Sequence, residues 1–281
     1  MTTLTAPTAT ARHAARPAIP EVGNHIGLRQ TVANSLTMAY RGILKIKHNP
    51  EQLFDVTIQP ILFTALFAYI FGGALGGGGG VKGYLPLLIP GILVQTVVLT
   101  SVVTGTQLRE DMDKGVFDRF KSLPIARISA LAGALIADMV RYGLATVLTI
   151  TVGIILGYRP AGGVAGVVVA ALLVIVCSFA VSWIWALVGV TGKSAATVQG
   201  ISMMIMFPLT FVSGAFVSVG TMPGWLQGFN KINPIYYMVN ACRELMNQNL
   251  YSANIAWCLI GSAGIIVIFA PLAIRAYMRR A

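Results

Sequence analysis

Long apolar stretches alternate along this chain with shorter polar segments. A helix needs about 20 mainly apolar residues to cross the hydrocarbon core of a bilayer. Six stretches meet this requirement, and the longer ones leave room for a tilted helix. They cover residues 54–73, 84–107, 128–157, 162–190, 195–219 and 254–274. The pattern therefore predicts an all-α membrane protein with six transmembrane helices.

A different pattern precedes the first span. Over residues 28–48, apolar side chains recur at helical spacing and basic side chains lie around them. This predicts an N-terminal amphipathic interfacial helix along the inner leaflet. A short soluble helix packed on a partner is the alternative, and the two interpretations are compatible.

Residues 220–253 are too polar to span a bilayer, yet they contain several aromatic rings and prolines. Tyr and Trp favour the membrane–water interface. We therefore expect outer re-entrant helices that enter the outer leaflet without crossing it. The candidate residues of this outer segment are Pro223, Trp225, Asn233, Pro234, Tyr237 and Arg243.

Composition supports membrane insertion. Of the 281 residues, 56% are hydrophobic and only 10% are charged, whereas soluble domains have about 25% charged residues. The net charge of +11 fits anionic lipid headgroups better than nucleic acid. Most Lys and Arg residues lie inside if both termini are cytoplasmic, so we predict a multi-pass cell-membrane protein with that topology. Residues 1–27 are interpreted as a disordered cytoplasmic tail.

The loop after the second span holds the most informative charges. Residues 108–124 contain four acids, four bases and an apolar stripe at helical spacing, and they end at Pro124. This combination suits a short helix that docks into a groove on a soluble partner. A solvated helix resting on lipid headgroups fits the residues equally well.

Several further sets of side chains lie within the predicted spans. Asp138 and Arg141 share a helix face and can form an intramembrane pair, for which a structural role is slightly favoured over a functional one. Small residues also recur four apart, a spacing that lets helices approach closely, although many such matches arise by chance in a chain rich in Gly and Ala. The sets are Ser129, Gly133 and Ala137; Gly153 and Gly157; Gly162 and Gly166; and Ser178, Ser182 and Ala186. A possible substrate pathway, with ordinary packing or lipid contact as the more common alternative, comprises Met203, Met206, Phe207 and Pro208.

No catalytic, cofactor or metal site is predicted in this chain. The three histidines all precede the first span, and the His-Glu-x-x-His motif of zinc proteases is absent. Gly192-Lys193-Ser194 ends like a phosphate loop, but Leu187 occupies the position where that loop needs glycine. We expect no nucleic-acid partner, because no basic tract is interleaved with aromatic residues.

Three motifs carry a resemblance to a known family. The first is the loop from Glu110 to Pro124, the second is FVSGAF at 211–216 followed by MPGWL at 222–226, and the third is Asn233-Pro234 with Tyr237 and Arg243. Over residues 28–275 the chain resembles the permease subunits of type-2 ABC exporters, in particular the daunorubicin-resistance permease group. Residues 28–281 would then form one transmembrane domain.

The resemblance implies a permease that is not itself an enzyme. A separate cytoplasmic ABC ATPase subunit would bind ATP and Mg, and a second permease copy or a paralogue would complete the pathway in the bilayer. The cargo would be an amphipathic or hydrophobic drug, lipid or glycolipid. A polysaccharide exporter, a gradient-driven carrier and an accessory scaffold remain alternatives. The ATPase-coupling residues would be Glu110, Asp111, Lys114, Gly115, Phe117, Arg119, Phe120 and Pro124.

Overall fold

The computed structural model describes residues 28–47, 50–115, 127–248 and 251–280. Within these ranges the chain is helical and contains no strand. The α-helices are α1 (Leu28–Lys47), α2 (Pro50–Leu75), α3 (Gly80–Asp113), α4 (Arg127–Ile155), α5 (Gly163–Thr191), α6 (Ala195–Val212), α7 (Gly224–Asn230), α8 (Pro234–Gln248) and α9 (Ala253–Arg280). The tail predicted over residues 1–27 lies outside the described ranges.

The six-span prediction is confirmed. Six of the described helices, α2 to α6 and α9, are long and apolar enough to cross a membrane. The second span is longer than predicted, since α3 continues to Asp113 instead of ending near residue 107. The fifth span is shorter, because α6 ends at Val212 and not at residue 219. Gly214 lies just beyond, and its φ of +82° turns the chain out of the helical direction.

Helix α3 lies at the centre of the bundle. In its most apolar stretch, 89% of the residues are buried. In the corresponding stretches of the other five spans, between 17% and 44% of the residues are buried. Helices α2, α4, α5, α6 and α8 all pack against α3. At Gly91 and Gly105 the neighbouring backbones come so close that a side chain would collide with the carbonyls of Ala215 and Trp185. These two glycines therefore permit the central position of α3.

Successive spans run in alternating directions, which gives the bundle two distinct ends. We call proximal the end that holds Asp113, Thr191 and the C-terminal Arg280. The Arg280 side chain donates to the carbonyl of Val190 at 2.8 Å, so the end of α9 is tied to the end of α5. The opposite, distal end holds the turns at 76–79 and 156–162, the segment 213–248 and residues 251–252.

Helix α1 packs against the first half of α4. A side chain at Gly133 would meet the Met38 side chain and the Ser35 carbonyl, and one at Gly42 would meet Ala137. The small residues of α4 thus permit the close approach that their spacing predicts. The other face of α1 exposes an apolar stripe, as expected of an interfacial helix; its members are Leu36, Tyr40 and Leu44.

Two short helices occupy the segment that was predicted not to span. Helix α7 has 7 residues and α8 has 15, both too few to cross a bilayer. Helix α8 packs against α3, α5 and α9 in the distal half of the bundle. Its buried face includes Val239, Cys242 and Leu245, which belong to the main apolar core.

Candidate functional site

The predicted intramembrane pair is present and deeply buried. The Arg141 guanidinium lies 3.0 Å from the Asp138 carboxylate, and both side chains on α4 are about 5% exposed or less. Thr104 on α3 donates a hydrogen bond to the other carboxylate oxygen at 2.5 Å. Gln107, one turn along α3, accepts a hydrogen bond from Arg141. The hydroxyls of Thr104 and Tyr142 lie 3.3 Å apart.

This arrangement joins α3 to α4 by polar contacts inside an apolar bundle. A lone buried charge is costly, so each charge of the pair offsets the desolvation of the other. Arg141 Nε and Gln107 Nε2 are buried and have no hydrogen-bond partner among the described residues, so both nitrogens can still donate a hydrogen bond. Sequence spacing predicts the pair, but it does not identify Thr104 or Gln107 as its partners.

A second polar site lies at the distal end around Arg243. Its Nε and Nη2 donate to the Leu87 carbonyl at 3.2 and 3.0 Å. Nη2 also donates to the carbonyls of Gly214 and Ala215 at 2.5 and 3.1 Å. Burial lowers the pKa of Arg243 to about 10, which leaves the guanidinium cationic at neutral pH. Arg243 therefore connects α8, α3 and the turn after α6.

The end of α6 is capped by side chains from the α7–α8 region. Asn233 Nδ2 donates to the Leu209 carbonyl at 2.9 Å, and Asn230 Nδ2 donates to the Val212 carbonyl at 2.8 Å. Asn233 Oδ1 also accepts from the Ile235 amide at 3.0 Å. The last carbonyls of a helix lack intrahelical partners, so these two asparagines satisfy groups that would otherwise be unpaired.

The other predicted residues of the outer segment are more peripheral. Pro223 precedes α7, Pro234 begins α8, and Trp225 is 74% exposed. The Tyr237 hydroxyl donates to the Lys231 carbonyl at 2.7 Å and holds the turn between the two helices.

Three distal contacts involve residues that the sequence did not single out. Tyr84 donates to the Phe216 carbonyl at 2.6 Å, and Asn247 donates to the Pro86 carbonyl at 2.8 Å. Tyr158 donates to Asn247 Oδ1 at 2.7 Å. An isolated Tyr or Asn next to a span has no distinguishing pattern, so no sequence signal was available for them.

The predicted coupling residues divide between the described and undescribed parts of the chain. Glu110 and Asp111 lie in the last turn of α3, and Lys114 follows it, 3.4 Å from the Glu110 carboxylate. Gly115, with a φ of +65°, ends this helical run. The remaining four predicted coupling residues lie outside the described ranges: Phe117, Arg119, Phe120 and Pro124.

Arg109 connects this helix end to the next turn of the proximal face. Its Nη1 donates to the Gly192 carbonyl at 3.1 Å, and its Nε donates to Asp113 at 3.0 Å. Nearby, Thr106 on α3 donates to Gln199 on α6 at 2.8 Å. The end of α3 is therefore fastened to the α5–α6 turn and to α6.

The predicted pathway residues do not share one face of α6. Met206 is buried against the core, Met203 is half-buried, and Phe207 and Pro208 are exposed. The helix continues through Pro208 to Val212.

An aromatic stack joins α6 to α2 near these residues. Phe207 stacks on Phe211 with centroids 4.4 Å apart, and Phe211 lies 4.8 Å from Phe216. Phe216 in turn stacks on Phe67 of α2 at 4.1 Å.

Comparison with known proteins gives a consistent result. Residues 34–247 match the ABC-2 type transporter family. The daunorubicin resistance ABC transporter permease protein DrrB1 of Streptomyces coeruleorubidus is 42% identical over 89% of this chain and 87% of that protein. The probable doxorubicin resistance ABC transporter permease protein DrrC of Mycobacterium tuberculosis is 23% identical over 90% of this chain and 91% of its own. The putative transport permease ycf38 of Cyanophora paradoxa is 24% identical over 76% of this chain and 75% of that protein.

Proposed function

This chain belongs to the ABC-2 type transporter family, and from that premise we propose that it is the permease of an ATP-driven exporter of amphipathic or hydrophobic drugs. As a permease subunit it contributes the membrane pathway, while ATP hydrolysis belongs to a separate subunit. The drug class is supported by the 42% identity to a daunorubicin resistance permease over most of both chains. Lipids and glycolipids share the same amphipathic chemistry and belong to the same proposal.

The proximal end would face the cytoplasm and receive the ATPase, which would bind ATP and Mg. The observation that carries this proposal is the length of α3. Its 34 residues extend about 51 Å at about 1.5 Å per residue, beyond a hydrocarbon core of about 30 Å. Its last turn therefore projects Glu110 and Asp111 toward a soluble partner. The concentration of Lys and Arg around this end supports the cytoplasmic orientation, with both termini inside.

A second permease, either another copy or a paralogue, would pack against the free sides of α2 and α6. Both spans are only 22% buried, and they are joined by the aromatic stack around Phe67. Their exposed apolar faces suit another apolar helix pair as well as lipid. A cargo site between two permeases would be completed only by the partner.

The proposed cycle transmits force through the end of α3. ATP-driven closure of the two ATPase subunits would move the segment 109–124. The hydrogen bond from Arg109 to Gly192 would carry this displacement to the α5–α6 turn. Export then requires that cargo bind the inward-facing state more tightly than the outward-facing state.

A gradient-driven carrier is the main competing function. Such a carrier needs a carboxylate that exchanges its proton or ion. In the described part of the bundle, Asp138 is held by Arg141 and Thr104, so it is poorly suited to that exchange. A polysaccharide exporter would share the ATPase and differ in cargo, which transport assays with labelled glycans and drugs separate.

Co-purification from native membranes tests the ATPase contact. The charge swap Glu110→Lys with Lys114→Glu preserves an i,i+4 pair but inverts the charges presented to a partner. We expect the wild type to retain the ATPase and the swap to lose it. Arg159→Glu, at the distal end, is the matched charge-reversal control and should retain it.

A second variant extends the test to the aromatic part of the segment. Glu110→Lys combined with Phe117→Ala should also lose the ATPase at matched membrane expression. Retention of the ATPase by both variants would refute docking at 109–124. Absence of any ATPase from the wild type in gentle detergent would favour a scaffold or a gradient-driven carrier.

A further inference from the structure

The turn between α7 and α8 reaches inward from the distal end of the bundle. Glu244, near the end of α8, accepts hydrogen bonds from Asn254 at 2.8 Å and from Ser252, next to the start of α9. The two helices therefore form an antiparallel hairpin, and the start of α8 lies beside the middle of α9. Lys231, in the turn, accordingly lines the same groove as Ile265. Ile265 is about 18 Å along α9 from the start of that helix, at about 1.5 Å per residue.

The contacts of α6 give the same depth for the turn. Asn233 Nδ2 donates to the Leu209 carbonyl at 2.9 Å. Helix α6 runs antiparallel to α3, and Gln199 on α6 accepts a hydrogen bond from Thr106 on α3 near the proximal end. Leu209 is about 15 Å further along α6 than Gln199, which makes it level with the centre of the span predicted over 84–107. The turn therefore lies near the middle of a hydrocarbon core of about 30 Å.

A groove between α8 and α9 leads from this turn toward the distal end, and its volume is about 400 Å³. Lys231 and Ile232 line its deep end, Ser262 lines its wall, and Trp257 lines it near the start of α9. Trp257 is 60% exposed, and an exposed Trp near the start of a span is typical of the membrane–water interface. A water molecule occupies about 30 Å³ in the liquid, so several water molecules fit between the interface and the turn.

The charge of Lys231 is not neutralised by the described part of the protein. The residue is exposed, and its side chain forms no ion pair with any described carboxylate. Glu244, the acid of α8, lies at the opposite end of that helix. The lysine side chain is shorter than the distance to either interface, so it cannot carry the ammonium to the headgroups. Charged groups at this depth lie in the protein interior or in a water-filled cavity, and only a cavity suits an exposed lysine.

We propose that this groove is a water-filled site that extends to the middle of the bilayer and attracts anionic groups through Lys231. Water and carboxylate, phosphate or sulfonate oxygens can all accept hydrogen bonds from the ammonium. An acyl chain in the groove would leave the ammonium unsolvated, and a second copy packed over the turn would bury it. The inference concerns hydration and charge alone, so it does not rest on the proposed export function.

Cysteine labelling of the full-length chain in unsealed membrane fragments tests the hydration of the groove. Charged methanethiosulfonate reagents stay in water and react with the thiolate form of cysteine. Ile232→Cys places a reporter beside Lys231 in the groove, at a position that is 78% exposed. Val267→Cys is the matched control, because Val267 is 73% exposed at a similar depth on α9 but does not line the groove. The wild type, whose three cysteines are buried, gives the background rate.

Two results are expected at matched membrane expression. Ile232→Cys should react at least about tenfold faster than Val267→Cys, because an apolar environment raises the pKa of a thiol and lowers its thiolate fraction. The second result concerns the ratio of the rates with an anionic sulfonate reagent and a cationic ammonium reagent. Adding Lys231→Gln to Ile232→Cys should lower this ratio by about threefold or more, the effect of unit charges about 6 Å apart in water.

Three outcomes would overturn the proposal. Background rates for both Ile232→Cys and Val267→Cys would show that lipid or a second copy covers the turn instead of water. Equal rates well above background would show that the turn does not lie at hydrocarbon depth. A rate ratio that Lys231→Gln leaves unchanged would show that the ammonium does not act on solutes in the groove.

Discussion

The guanidinium of Arg243 on α8 donates hydrogen bonds to the carbonyl of Leu87 on α3, with N–O distances of 3.2 and 3.0 Å. The two residues are 156 positions apart in the chain. The contact fastens a helix that does not span the membrane to the central span. With the bonds to Gly214 and Ala215, it makes Arg243 the main polar connection of the distal end.

Arg243→Ala should therefore destabilise the protein. Charge-assisted hydrogen bonds contribute about 1.5–3 kcal/mol each, and unpaired buried carbonyls add a penalty. We expect a loss of about 3 kcal/mol, seen as a clear fall in the thermal unfolding midpoint in detergent. Arg243→Lys keeps the charge but loses the planar guanidinium, so its unfolding midpoint should lie between those of the wild type and Arg243→Ala.

Arg159→Ala is the control for the Arg243 variants. It removes another distal arginine, which is exposed and whose hydrogen bonds to the described residues are long, at 3.4 and 3.3 Å. Its midpoint should stay near that of the wild type. Equal midpoints for Arg243→Ala and Arg159→Ala would contradict the role assigned to Arg243.

Substitutions in the buried Asp138–Arg141 pair on α4 should have strongly non-additive effects on the free energy of unfolding. Asp138→Ala leaves the Arg141 charge uncompensated at membrane depth, which should cost about 3–5 kcal/mol. Asp138→Ala combined with Arg141→Met removes both charges and should recover much of that stability. The double-mutant cycle consists of the wild type, Asp138→Ala, Arg141→Met and the double variant. Chemical denaturation of these four proteins measures the coupling free energy between the two side chains.

The same cycle addresses the role of Asp138 in transport. A structural pair predicts that the double variant keeps ATP-dependent drug efflux at a reduced protein yield. A complete loss of transport from a stable double variant would instead assign Asp138 a direct part in the transport step.

Replacement by Ala should have opposite effects on stability at two glycines of α4. Gly133→Ala places a methyl group against Met38 and the Ser35 carbonyl, 3.0 Å away, and should separate α1 from α4. Gly143→Ala meets no atom within 4 Å, and it should stabilise the helix by up to about 1 kcal/mol. Limited proteolysis of α1 and thermal unfolding should show a decrease for the first and no decrease for the second.

A substitution at Arg109 should impair transport without impairing ATPase binding. Arg109→Gln removes the charged contact with Gly192 and Asp113 but leaves Glu110 and Lys114 in place. We expect the ATPase to co-purify normally while drug efflux falls several-fold. Loss of the ATPase itself would show that Arg109 acts in docking.

Several features follow from local pattern. The spans are predicted because about 20 apolar residues satisfy the thickness of the hydrocarbon core. The Asp138–Arg141 pair follows from i,i+3 spacing, and small residues such as Gly133 and Ala137 indicate a close helix contact without identifying α1 as the neighbour. These predictions need only the period of a helix.

The arrangement of the helices required tertiary structure. Helix α5 has a mean hydropathy of 2.9 and α3 of 2.0, yet α3 is 89% buried and α5 only 44%. Lipid chains solvate apolar side chains as well as protein does, so hydropathy specifies insertion but not the choice of neighbours. The sequence marked Arg243 as a candidate, whereas its partners are backbone carbonyls of residues far along the chain. Backbone carbonyls have no sequence signature, so only folding decided which of them meet the arginine.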